Sequence, residues 1–276
     1  MNKLSTEERT RVVAALVEGN SLRAITRMTG VHRTTIMKLL VDLGTVCWSY
    51  QEKAFRNLRC RRIQCDEIWS FVYAKEKNCT AELKENGAGD CWTWVALDAD
   101  TKLVPCWLVG RRDAGTAYHF IHDLKDRLAN RVQLTTDGHK AYVSAVEDAF
   151  GADIDYSMLI KIYGNASEGP EVRYSPAQCM GAKKTVIAGE PDFKQVSTSF
   201  VERQNLTMRM QMRRFTRLTN AFSKKIENHE HNLALHYMFY NFGRIHQTLR
   251  ITPAMAAGVS DHVWSVEEIL GLLDSE

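Results

Sequence analysis

The stretch I-Q-C-D-E-I-W-S-F-V-Y at residues 63–73 decides how the rest of the chain is read. It is rich in β-branched and aromatic residues and has the length of a long strand. Two acids, Asp66 and Glu67, interrupt it. A carboxylate inside an apolar strand is costly unless it is paired or holds a metal. Strand side chains alternate, so the two acids are expected on opposite faces, and the pattern alone does not choose between them. A salt bridge to an arginine would account for Asp66 equally well.

Downstream, Trp92–Leu97 and Leu103–Val109 read as two further strands, with turns at 87–90 and 98–102. Residues 115–129 carry a helical stripe of Ala117, Phe120, Ile121, Leu124 and Leu128. Val132–Thr136 reads as a strand, 140–150 as a helix and 154–162 as a fifth strand. Three strands followed by α/β units form the order of an RNase-H-like (retroviral-integrase-like) domain, an order that other α/β folds share. Seven Gly and Pro residues in 163–196 predict an irregular insertion. Long helices are expected over 199–217 and 221–240, and an acidic tail over 261–276.

Two more carboxylates stand at places where metal-assisted phosphodiester chemistry would want hard oxygen ligands. Asp137 ends the fourth strand and precedes Gly138; a turn or helix-capping aspartate is its structural alternative. Glu202 opens the long helix. Ser199-Phe200-Val201-Glu202 has capping-box spacing, which alone would explain that glutamate. Glu202, Asn205 and Arg209 nevertheless share one helical face, beside a predicted buried stripe of Val201, Met208, Met212 and Phe215. On this reading Arg209 holds a phosphate near the glutamate.

Upstream, residues 5–43 read as three short helices. Ser5 and Glu8 form a capping box for the first, and Ser21 starts the second, with Leu22, Ile25 and Met28 inward. Gly30 sits at a tight turn, and the third runs over 32–43 with Ile36, Leu39 and Leu40 inward. The spacing of Thr26, Gly30 and Ile36 is that of a helix-turn-helix, with glycine supplying a positive φ at the turn. Arg33, Thr34, Thr35 and Lys38 then face outward, where they can reach bases and phosphates in a major groove. A plain three-helix bundle is the alternative. The expected organisation is an all-α helix-turn-helix domain at 1–45, a basic linker at 46–62, a catalytic α/β domain at 63–260 with the insertion at 163–196, and the tail.

The net charge is only +3, but it is unevenly distributed. Residues 1–62 carry twelve Lys or Arg against five acids, and residues 203–225 carry seven with no acid, including Arg213, Arg214 and Arg217. Two basic zones suggest a polyanion touched at two places. The seven cysteines show no C-x-x-C pair and suit a reducing cytosol. No apolar run is long enough to span a bilayer, and residues 1–18 are too polar for a signal peptide, so a cytoplasmic, nucleoid-associated protein is expected. His139, beside the second aspartate, is read as a phosphate contact or a surface histidine; His229, His231 and His236 are read as packing or DNA-backbone residues.

Several stretches together resemble the DDE transposases of the IS-one type of bacterial insertion sequence. They are C-D-E-I-W-S-F-V at 65–72, L-T-T-D-G-H-K-A-Y at 134–142 and S-T-S-F-V-E-R-Q-N-L-T-M-R at 197–209. R-F-T-R-L-T-N-A-F-S-K-K at 214–225 and Y-N-F-G-R-I-H-Q-T-L-R-I-T-P-A at 240–254 complete the set. The resemblance implies Asp66, in preference to Glu67, with Asp137 and Glu202 as catalytic metal ligands, and Arg209 as a catalytic basic residue. It implies Mg2+, with Mn2+ as a substitute, double-stranded DNA as partner (element ends and target), and a homo-oligomer that pairs two ends. Asn205, Arg213, Arg214 and Arg217 are expected to contact DNA, together with Arg33, Thr34, Thr35 and Lys38. Members of the family often carry a cysteine zinc element before the helix-turn-helix; without one, end recognition would rest on the helix-turn-helix. Two alternatives remain open: a non-enzymatic DNA-binding protein, and a nuclease of the same fold that cuts without strand transfer.

Overall fold

The computed structural model describes residues 4–164, 179–216 and 220–274. Three helices open the chain: α1 (Thr6–Val17), α2 (Leu22–Thr29) and α3 (Arg33–Ala54). The Ser5–Glu8 capping box closes reciprocally, and the Ser21 hydroxyl accepts from the Ala24 amide. Gly30 takes φ 73°, the left-handed conformation that the tight turn requires. Ile25 and Ile36 are fully buried, but Met28, expected inward, is 58% exposed.

α3 does not stop near residue 43. It runs 22 residues, through much of the stretch expected to be a linker. The reason is packing. Gly44 lets α3 press against α8 (Ile226–Met238), because a Cβ there would fall 2.5 Å from that of His231. The helical trio and the rest of the molecule share one continuous hydrophobic core, from Val12 to Leu270.

A six-stranded sheet forms the centre, in the order β3-β2-β1-β4-β5-β6. β1 (Arg62–Val72) pairs antiparallel with β2 (Gly89–Asp98), which pairs antiparallel with β3 (Cys106–Gly110). On its other side β1 runs parallel to β4 (Gln133–Thr136), itself parallel to β5 (Asp155–Tyr163). β6 (Cys179–Ala188) lies antiparallel to β5, inside the stretch expected to be irregular. It is an exposed edge strand, so it lacks the apolar alternation that marks buried strands. β3 starts later than expected. Leu103 and Val104 are buried, but the Val104 amide and carbonyl bond to the Asn241 side chain.

A short helix, α4 (Ala81–Glu85), lies in the connection between β1 and β2, and longer helices cover both faces of the sheet. Trp94 of β2 packs on Phe120 of α5 (Ala114–Arg127) and Tyr142 of α6 (Ala141–Phe150). Trp107 of β3 packs on Trp48 of α3 and Tyr237 of α8, on the opposite face. α7 (Ser199–Gln211) crosses that second face against β1 and β2. It ends before the expected Arg217, itself outside the described residues. Met212 turns extended, and a 3-10 turn at Arg213–Phe215 brings Phe215 under His229. The predicted stripe of Val201, Met208, Met212 and Phe215 is buried nonetheless. α8 starts later than the expected helix at 221–240 and runs into a π turn at Phe239–Gly243. α9 (Pro253–Ala256) and α10 (Val266–Gly271) follow. The acidic end is thus not a loose tail: Ile269 and Leu270 of α10 are buried, and α10 packs on α1. Among the described residues, no helix is long and apolar enough to cross a membrane.

Candidate metal centre

Pairing between β1 and β4 stops at Cys65–Thr136. From Asp66 to Phe71 β1 pairs with no strand on the β4 side, until Val72 meets Ser223 in an isolated parallel bridge, and Asp137 lies in the opening just past the end of β4. The notch sits at the carboxyl ends of parallel strands, the usual site position in open α/β sheets. Asp66, Glu67 and Asp137 each bring an oxygen there, all within 4.8 Å of one another.

The two neighbouring acids do reach the notch from opposite faces. Glu67 pairs in register with Trp94, on the side of α5 and α6. Asp66 pairs with Val95, on the side of α7. Both nevertheless meet at Asp137, because β1 has no neighbour there. Glu67 is therefore a member of the cluster, which the sequence reading did not include. Its side chain is 1% exposed and accepts from Arg112 Nε at 3.0 Å. Arg112 Nη2 also reaches Asp137 Oδ2 at 3.2 Å, and its guanidinium lies over the Trp92 ring. Asp137 Oδ1 accepts the His139 amide at 2.9 Å. The His139 ring packs on Trp94, and burial and then Arg112 lower its pKa.

The acids are in electrostatic conflict. Burial, then the charges of Asp137 and Glu67, push Asp66 up to about 7. Burial, then Asp137, push Glu67 up to about 7 as well. Arg112 reaches only two of the three close carboxylates, and although the buried Tyr142 hydroxyl also favours the charged form of Glu67, burial and Asp137 outweigh both. Such an under-compensated oxygen cluster fits a hard divalent cation.

α7 is placed by β1 itself. The expected Ser199–Glu202 capping box does not form: Thr198 is the N-cap, without a side-chain cap bond. Instead Gln64 Oε1 accepts the first-turn amides of Phe200 at 2.9 Å and Val201 at 3.1 Å. Gln64 shares a face with Asp66, so one strand both carries the aspartate and anchors the helix beside it. Asn205 Nδ2 then donates to Asp66 Oδ2 at 2.9 Å. Asn205, expected to contact DNA, is buried against the carboxylate.

Glu202 is free of capping but not free. Thr198 donates to its Oε1 at 2.5 Å, and Lys161 of β5 holds its Oε2. Burial is the largest single effect on Lys161 and lowers its pKa, but the hydrogen bond and charge of Glu202, with smaller help from Tyr163 and Cys179, together turn the net shift upward. Glu202 lies outside the close trio, yet its charge still contributes to the upward push on Asp66. Arg209 is half-buried on the same helix.

The expected DNA contacts divide. Arg33, Thr34 and Lys38 are exposed on the first turns of α3, with Thr35 half-buried. Arg213 is exposed. Arg214 is half-buried and donates to the Ser223 hydroxyl, and burial pushes its pKa down to about 10. His229 and His236 are buried packing residues. Arg112 and Lys161 had no sequence signal, since their meaning depends on the acids they meet across the fold.

No protein-family model matches the sequence, and no curated protein matches it. Among solved structures, a piggyBac transposase synaptic complex with hairpin DNA is similar over 99% of this chain and 73% of its own, with TM-score 0.41 and 12% identity. A likeness that faint carries no functional argument, which falls to the side chains.

Proposed function

We propose that this chain is a DNA transposase of the DDE type, built on an RNase-H-like core with a helix-turn-helix reader ahead of it. The order β3-β2-β1-β4-β5, antiparallel on one side of β1 and parallel on the other, supports the core. The left-handed Gly30 between α2 and α3 supports the reader. The observation that carries the reading is the meeting of Asp66 and Asp137 in the notch, with Glu202 on the adjoining helix.

Asp66 and Asp137 would hold the cation, with Glu202 as the third ligand and Mg2+ or Mn2+ as the ion. A divalent cation bound there neutralises phosphate charge and makes a water or a DNA 3′-hydroxyl a better nucleophile. The chain's own groups set the geometry. Asn205 fixes one oxygen of Asp66, the His139 amide fixes one of Asp137, and Arg112 steadies Asp137 from the Glu67 side. Arg33 and Lys38 would bring duplex DNA to α3, and Arg213 would meet it beyond α7. Cleavage at an element end and joining of the 3′-hydroxyl to target DNA would then use one site, in a homo-oligomer that pairs two ends.

Asp137→Asn tests this reading. DNA binding should survive while Mg2+-dependent cleavage and strand transfer disappear; cleavage that persists in the variant refutes the site. A wild-type protein that cuts without joining in a strand-transfer assay would instead be a nuclease.

A further inference from the structure

Glu202 is expected to serve a metal, yet both its oxygens are engaged elsewhere. Thr198 takes one and the Lys161 ammonium the other. Lys161 comes from β5, so this contact crosses from the far side of the notch to α7. The Lys161 side chain is 32% exposed, so its ammonium lies at the rim rather than sealed inside.

An ammonium and a divalent cation cannot both neutralise one carboxylate at full strength. A DNA phosphate arriving at the rim offers the ammonium a second anionic partner. We propose that Lys161 is a positioning residue that couples DNA binding to metal loading: it pairs with Glu202 in the free protein and passes to a DNA phosphate, releasing Glu202 to the cation. The inference rests on the proposed metal site. Its consequence is reciprocal by linkage: DNA tightens metal binding, and metal tightens DNA binding by the same factor. Free protein would hold metal weakly, with the third ligand reserved, and load fully on DNA.

The test is a Mn2+ binding titration of the full chain, followed by isothermal calorimetry, with and without a short DNA duplex. In the wild type the duplex should tighten Mn2+ binding on the order of tenfold. Lys161→Met should bind Mn2+ more tightly than wild type without DNA, and the duplex should add little. Lys161→Arg should restore much of the wild-type difference, because a guanidinium can also pair with both anions. The proposal is overturned if Lys161→Met binds Mn2+ like wild type and keeps the duplex effect. Asp66→Asn separates the two levels. If it abolishes Mn2+ binding while Lys161→Met changes nothing, the metal site stands and the coupling falls. If wild type and Asp66→Asn alike bind no Mn2+, with or without duplex, both fall.

Discussion

Two buried charge clusters in this molecule resolve the same problem differently. Arg127 of α5, 3% exposed, reaches both Glu52 and Asp123, and its pKa rises despite burial. Two partly hydrated carboxylates thus enclose one guanidinium, and the cluster ties α3 to α5. At the notch, three carboxylates lie together but Arg112 reaches only Glu67 and Asp137, and two of the three acids are pushed up to about 7. The first cluster is complete without a ligand. The second lacks positive charge, and that deficit, rather than the presence of acids, makes it the candidate site.

The contrast can be broken by substitution. The largest effect is expected from Asp66→Asn, which should lower DNA cleavage on the order of 10³-fold or more while leaving the fold intact. Gel-based cleavage with circular dichroism would measure both. Arg127→Met should do the reverse. It leaves two carboxylates facing each other and should cost about 3–5 kcal/mol in urea unfolding, with any surviving folded protein retaining Mn2+ affinity.

The two clusters also differ in pH response. Asp66 and Glu67 have folded pKa values above their ordinary ones, so between about pH 4 and 7 the native state holds protons that the unfolded chain has lost. Metal-free stability is therefore greatest below that window and falls as pH rises through it. Asp66→Asn should remove one share, leaving the variant more stable than the parent at pH 8 without metal. Mn2+ should offset the loss, by about 2.7 kcal/mol at a hundredfold excess over Kd, and more at pH 8 than at pH 5.5. Thermal melts at the two pH values would show it. The smallest effect lies outside both clusters. Lys38→Ala should weaken duplex binding evenly across sequences and reduce the salt slope by about one, in fluorescence anisotropy across a salt series.

What could be read from the chain alone follows from how local each signal is. The Ser5 and Ser21 caps, the Gly30 turn and the 63–73 strand depend on neighbours within a few residues, and they form where expected. Asp137 was legible because a strand end precedes it. β6 was not, because an exposed edge strand carries no apolar rhythm. The length of α3 was not legible, because it rests on a close helix crossing at Gly44 that exists only in space. At the site, strand alternation correctly separates Asp66 from Glu67, but only the early end of β4 shows that both reach Asp137. Gln64 as the anchor of α7, Arg112 as the shared counter-ion and Lys161 as the partner of Glu202 are all long-range pairings. No spacing rule encodes them.

The proposed divalent-metal site lies in the notch between β1 and β4. A crystal of the full chain soaked in Mn2+, with anomalous diffraction recorded near the manganese edge, tests it most directly. An anomalous peak bonded to carboxylate oxygens of both Asp66 and Asp137 is the expected result. No peak there at saturating Mn2+, with Arg112 still bridging Glu67 and Asp137, would contradict it.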